Sequence, residues 1–323
     1  MILSASAFIA ALPLIAIAAA PVDDSLPVIE GVIAPATRLE LVKDGFNGTE
    51  GPVGLADGSL LFTENRADRI VRIGADGSIA VFLEPTGGSN ALALTAAGEV
   101  LAVQTTTPAL AIVYPAAKAR VLAAGFDGKP FNRPNDLVLD RRGGVYFTDP
   151  GASPARAPAA AVKVSVIAAE PVTAIYYRSP DGLLARIDSG LGRPNGVQLS
   201  PDEKTLYVAD TYGEHLLAYD VSGGRTGARR LFAKLAGFRQ TENGPSSGAD
   251  GLATDAAGRV YVASSVGVQV FDSAGAALGI IPTPKPPQNL AFAGEDRRTL
   301  YILGRGSVWK LRTLAPGPAE RAK

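Results

Sequence analysis

Between residues 38 and 313 the chain alternates short apolar runs with Gly-centred turns, and a helical period is almost absent. SLLFTE (59–64), RIVRIG (69–74) and IAVFLE (79–84) have the length of strands. Asp57-Gly58 and Asp76-Gly77 between them are hairpin turns in which Gly supplies a positive φ. One unit recurs. A polar residue opens an apolar strand, a tight turn follows, and a second apolar strand begins eleven residues after the opener. The openers are Glu50, Asn90, Asn135, Asn195, Asp250 and Asn289; eleven residues on stand Leu61, Leu101, Tyr146, Leu206, Tyr261 and Leu300. The openers are 40, 45, 60, 55 and 39 residues apart, the length of a four-stranded blade.

This pattern predicts an all-β, six-bladed β-propeller over residues 38–313, followed by a C-terminal tail, 314–323. After Asn289 there is room for three strands, the last being SVWKLRT (307–313). RLELVKD (38–44) precedes the first opener and is the candidate fourth strand, which would pair into the last blade and close the ring without an open sheet edge. A β-sandwich or β-helix requires neither six in-register units nor a spare strand.

Equivalent positions of a propeller lie at equivalent places around one axis, so the six openers ring the mouth of the central channel. All six are carboxylates or carboxamides. Asn and Asp also favour turns, but Glu50 is a poor turn former. Convergent oxygens carrying two negative charges, Glu50 and Asp250, match a hard divalent cation, and the candidate ions for an oxygen-only site are Ca²⁺, Mn²⁺, Zn²⁺ and Fe²⁺.

Composition narrows the partners. Lys plus Arg and Asp plus Glu number 31 each, and no basic run occurs, which argues against nucleic acid and anionic membrane surfaces. Cysteine is absent, which excludes disulfides and thiolate metal sites. Residues 1–20 carry no charged side chain, run apolar from Phe8 to Ile17 and pass through Ala16-Ile17-Ala18. That reads as a signal peptide cleaved near Ala18–Ala20, with an uncleaved anchor as the alternative. A periplasmic or secreted monomer is expected, with no obligatory membrane partner after cleavage.

Several motifs carry a resemblance. Glu50-Gly51-Pro52, Arg133-Pro134-Asn135-Asp136, Phe147-Thr148-Asp149-Pro150, Arg193-Pro194-Asn195-Gly196 and Ala249-Asp250-Gly251 stand in the order found in the senescence-marker-protein/gluconolactonase family. The resemblance implies a six-bladed propeller with one divalent metal at the channel mouth. It implies ligation by Glu50, Asn135, Asn195 and Asp250, and hydrolysis of lactones. It also implies substrate contact by Arg133, with Asn90 and Asp149 at the same mouth. Three positions depart from the family pattern: Gln104-Thr105 replaces a Glu-His pair, Ala249 replaces Pro, and Val53 replaces an aromatic residue.

The expected chemistry is opening of a sugar lactone or other small lactone, the metal acting as Lewis acid on the carbonyl and activating water. Asp250 is the expected general base with Asp149 as alternative, and Arg133 anchors substrate or assists the oxyanion. His215, the single histidine, begins an outer strand, which disfavours a Ser-His-Asp site. The Ala- and Pro-rich segment 151–172 reads as a lid or a surface insertion, and Thr241–Gly248 as a second rim loop. A non-catalytic, metal-stabilised ligand-binding propeller and a related esterase or phosphotriesterase are the alternatives.

Overall fold

The structure is a computed structural model that describes residues 24–151 and 172–319. The leader read into residues 1–20 and most of the 151–172 segment lie outside the described residues. In the first blade, Glu50–Gly54, Leu60–Glu64, Arg69–Ile73 and Ile79–Leu83 pair in that order as an antiparallel meander. The same order recurs in sheets whose innermost strands are Ser89–Leu94, Leu137–Leu139, Pro194–Leu199 and Leu252–Thr254. The sixth blade runs Asn289–Ala293, Thr299–Gly304, Ser307–Arg312, and its outermost strand is Glu40–Lys43. Glu40 faces Lys310 and Leu41 faces Trp309, so the N-terminal strand closes the ring as the spare run predicted.

The repeat is tighter than the sequence pattern alone conveys. The residue eight positions after each opener has a positive φ: Gly58 (82°), Gly98 (73°), Gly143 (85°), Glu203 (59°), Gly258 (82°) and Arg297 (54°). The turn from first to second strand thus makes one left-handed kink in every blade. Two blades place a residue other than Gly there, at a backbone cost of roughly 1–2 kcal/mol.

The apolar side of each strand packs against the next blade. Six core clusters sit one in each seam between neighbouring blades. The seam between blades five and six also takes in residues upstream of the predicted domain start: Leu26, Ile29, Val32 and Ile33 are buried against Tyr261, Phe292 and Leu311. This arm is held by Leu26 N–H to Thr37 O (2.8 Å) and by Leu314 N–H to Val32 O (2.9 Å). The tail takes part as well, since Pro316 O accepts from Ala256 N–H (2.8 Å) and Gly317 N–H donates to Arg297 O (2.8 Å). PVIEGVIAPA (27–36) lacks strand alternation, so its burial was not legible as part of the repeat. His215 opens the third strand of blade four, two strands out from the channel, and is half-buried.

Truncation separates the contributions of arm and closing strand. A chain beginning at Asp24 should fold like the full protein. One beginning at Arg38 should keep the ring but lose four buried side chains, each worth on the order of 2 kcal/mol, and melt earlier. One beginning at Asn47 should expose two sheet edges and aggregate. Equal solubility and thermal midpoints for all three, measured by calorimetry and gel filtration, would show that closure does not depend on these residues.

Candidate active site at the channel mouth

Each opener stands at the channel end of its innermost strand, and hydrogen bonds link every adjacent pair of blades there. Thr63 Oγ1 donates to Asn90 O (2.7 Å), and Asn90 Nδ2 to Asn135 O (2.9 Å). Thr148 Oγ1 donates to Asn195 O (2.6 Å), and Thr211 Oγ1 to Ala249 O (2.8 Å). Gly251 N–H donates to Gln288 O (2.7 Å), and Gln288 Nε2 closes the circuit on Glu50 Oε1 (3.0 Å). The circuit fixes the backbone from which the openers project.

The loop leading to an opener is held by the side chain that ends the second strand of the same blade. Asp149 takes Asn132 N–H and Arg133 N–H at 2.8 Å each, with Asn132 Nδ2 and Gly151 N–H beside them. Asp210 does the same for Gly192 N–H (2.9 Å) and Arg193 N–H (2.7 Å). Glu64 takes Asn47 N–H (2.6 Å), and Gln104 Nε2 donates to Thr86 O (2.8 Å). Gln104, a departure from the expected family pattern, therefore fills the holding position of its blade. Ala249 uses the N–H that Pro would lack, donating to Ser247 Oγ (3.3 Å), and Val53 is fully buried between blades one and two.

Within this frame the predicted residues take distinct places. Glu50 and Asn195 are buried, whereas Asn135 and Asp250 keep part of their surface open to the channel. Glu50 is held by Gln288 and, at 3.5 Å, by Asn289 Nδ2. Asn195 Nδ2 donates to Thr211 Oγ1 (3.0 Å), while its Oδ1 is buried and no donor reaches it. Protein surrounds Asp250 despite its opening to the channel. Its carboxyl is held well above the usual range by loss of hydration and by the Glu50 charge, against a downward pull from Arg193 and Arg305. Desolvation likewise raises the Asp149 carboxyl. Asn90 has both ends of its amide engaged, its Oδ1 accepting from Asn65 Nδ2 (2.9 Å). Arg133 is half-buried on the loop that Asp149 holds.

The donor set suits a hard divalent cation: two carboxylates that repel each other and a buried carboxamide oxygen without a donor. Among the described residues no group of three or more His, Cys, Asp and Glu forms a metal cluster, so any ion here depends on carboxamides too. Sequence reasoning missed Gln288, Arg193, Arg305 and the threonines of the circuit. The signals were available: Thr63 and Thr148 each stand thirteen residues after an opener, and Arg-Pro-Asn occurs twice, at 133–135 and 193–195.

Two rim elements flank the mouth. Gly125–Phe126 pairs with Lys129–Pro130 just before Asn132, and Arg239–Thr241 pairs with Gly244–Ser246 just before Asp250. The second hairpin is the predicted rim loop, anchored by Ser246 Oγ to Thr211 O (2.8 Å). Of the 151–172 segment, the described ends meet at one place: Gly151 N–H bonds Asp149, and Val172 O accepts from Asn132 Nδ2 (3.1 Å).

Comparison with known proteins agrees with this architecture. A gluconolactonase from Zymomonas mobilis is 30% identical over 308 residues, covering 89% of this chain and 84% of that protein. The solved structure of a gluconolactonase from Xanthomonas campestris superposes with a TM-score of 0.74 at 30% identity, covering 86% and 90% of the two chains. A regucalcin from Agrobacterium tumefaciens shares the fold, with a TM-score of 0.69 at 19% identity over 88% of this chain and 98% of that one. Residues 48–304 match the model of the SMP-30/gluconolactonase/LRE-like region, and the chain belongs to that family.

Proposed function

We propose that the protein hydrolyses a lactone at the channel mouth with one divalent ion held by Glu50, Asn135, Asn195 and Asp250. The likeness to gluconolactonases supports the reaction class. The observation that carries the site is the buried Glu50–Asp250 repulsion beside the donorless Asn195 Oδ1, an arrangement that a cation relieves. The ion, when bound, supplies Lewis acidity toward the lactone carbonyl.

The chain's own groups do the rest. Asp250, partly open to the channel, takes a proton from the attacking water as the C–O bond forms. The ring C–O bond then breaks, the proton passes to the departing ring oxygen, and the product is the open hydroxy acid. Arg133 supplies planar N–H donors to substrate oxygens. We assign Asp149 to holding the Asn132–Arg133 loop, because both of its oxygens are taken by that loop and Asp210 does the same one blade on.

The primary test is a pH-stat screen of lactones and simple esters with metal-stripped protein and with protein reconstituted by single divalent ions. Activity should disappear on stripping and return with metal; turnover unaffected by stripping sinks the reading. Gln288→Leu should weaken metal affinity about ten- to a hundredfold by calorimetric titration, since it frees the Glu50 carboxylate. Glu50→Gln should weaken it more.

Asp250→Asn should lower kcat by about 10²–10⁴. Asp149→Asn and Asp210→Asn should both destabilise, by about 1.5–3 kcal/mol in urea, and the folded Asp149→Asn enzyme should turn over within about tenfold of wild type. A loss of kcat in Asp149→Asn as large as in Asp250→Asn, at unchanged stability, would make Asp149 the base instead.

A further inference from the structure

Lactone hydrolysis as assigned above leaves two charged side chains at the opener mouth unused. Arg193 stands on the loop into blade four, two residues before Asn195, the register equivalent of Arg133 one blade back. Arg305 stands in the turn between the second and third strands of blade six. Blades four and six are the two neighbours of blade five, whose opener is Asp250.

Short contacts tie both arginines to blade five. Gly196, three residues after Arg193, lies so close to Asp250 that a Cβ on it would meet the Asp250 carbonyl oxygen at 2.1 Å. The Arg193 backbone is fixed on both sides, its N–H on Asp210 Oδ1 (2.7 Å) and its carbonyl by Thr211 N–H (3.0 Å). From the other neighbour, Arg305 N–H donates to Gln288 Oε1 (2.8 Å), and the Gln288 carbonyl takes Gly251 N–H (2.7 Å). The two arginines thus flank Asp250 from the adjoining blades, and the charge of each acts on its carboxyl.

Neither arginine has an internal partner that accounts for it. Among the described residues no hydrogen bond or ion pair engages either guanidinium. The acids of the neighbouring loop are committed elsewhere: Asp210 takes the N–H groups of Gly192, Arg193 and Tyr212, and Glu214 pairs with Lys234 at 2.9 Å. Arg305 is exposed, and Arg193 is half-buried with none of its side-chain nitrogens shut away from solvent. Both remain open to a ligand in the mouth.

Charge balance indicates what that ligand carries. Glu50 and Asp250 offset one divalent ion, so in the loaded site the arginines are left as uncompensated positive charge, which draws anions to the mouth. A neutral lactone would leave them idle. We propose that the substrate is an acidic lactone, whose carboxylate or like oxyanion outside the ring is held by Arg193 and Arg305 while the ring carbonyl lies at Asp250. Guanidinium N–H pairs match such a group in geometry and charge. This rests on the lactonase reading and names its substrate class.

The test compares D-glucono-γ-lactone with D-glucaro-γ-lactone, which differ in a hydroxymethyl group against a carboxylate. Metal-loaded full chain is assayed by pH-stat with the two lactones and by calorimetric titration with their ring-opened products, gluconate and glucarate. Wild type should favour the acidic lactone at least about tenfold in kcat/KM, and glucarate over gluconate in affinity, both preferences shrinking as salt rises. Arg193→Gln and Arg305→Gln should each cut the acidic-to-neutral ratio at least about threefold at unchanged thermal midpoint, and the double variant should bring it near unity. An equal loss on both lactones would mean that the arginines act only through Asp250, and it overturns the proposal. Hydrolysis of both lactones without preference also overturns it but keeps the lactonase reading. Hydrolysis of neither, with glucarate still bound through the two arginines, sinks the lactonase reading and keeps the anion site; without that binding, both fall.

Discussion

Everything on the axis depends on the pairing of Glu40–Lys43 with Ser307–Arg312. A propeller whose last blade lacked that strand would be an open stack, and Glu50 would have no fixed relation to Asp250 or Gln288. The join is reinforced where the chain leaves the closing strand. Lys285 and the Ser307 hydroxyl both bond Asp44 and hold its carboxyl down to about 2. Phe46 N–H then donates to Gly306 O (3.0 Å), the Phe46 ring packs edge-on against Phe62, and Thr49 Oγ1 accepts from Gly306 N–H (3.3 Å). The six residues between closing strand and first opener are thus tied to blade six nearly as far as Glu50 itself.

Closure turns six separate contacts between blades into a circuit. In an open array, each inter-blade hydrogen bond could lengthen without consequence for the next. In a closed ring, displacing one opener strains both neighbours, so the positions of Glu50, Asn135, Asn195 and Asp250 are set jointly. Buried polar links of this kind are costly when half-satisfied and rigid when complete. That rigidity is what allows two like-charged carboxylates, Glu50 and Asp250, to be held where each feels the other, an arrangement that neither would adopt if free to turn away.

The features legible in the sequence were those repeated in register. The openers, the Asp-Gly turns and the spare strand all follow a period, and each emerged as one element of a blade. The N-terminal arm has no repeat partner, and its Leu26, Ile29, Val32 and Ile33 are buried by tertiary packing that no local pattern records. The roles of Asp149 and Gln104 were hidden for a different reason. Both hold a loop through the strand end of their own blade, but one accepts and the other donates, so the residue types do not match even though the positions do. Asn90 belonged to the ring of openers as expected, yet its amide is spent on linking Asn65 to Asn135.

The two faces of the ring differ in what they tolerate. The connection from first to second strand is five residues in every blade, 55–59, 95–99, 140–144, 200–204, 255–259 and 294–298, and all six lie on the far face. The hairpins at 125–130 and 239–246 enter on the opener face, where Gly151 and Val172 also stand. Insertions there leave blade packing undisturbed and alter only what surrounds the mouth, which is how one scaffold changes its substrate without changing its fold. In these first turns a longer loop would shift the strand register that the seams require. Variation in them is confined to substitution at fixed length. Glu203 and Arg297 are such substitutions, and at both the left-handed backbone makes a side chain unfavourable unless something engages it. Glu203 is engaged by Arg141 of the neighbouring blade, whose backbone N–H bonds its carboxylate.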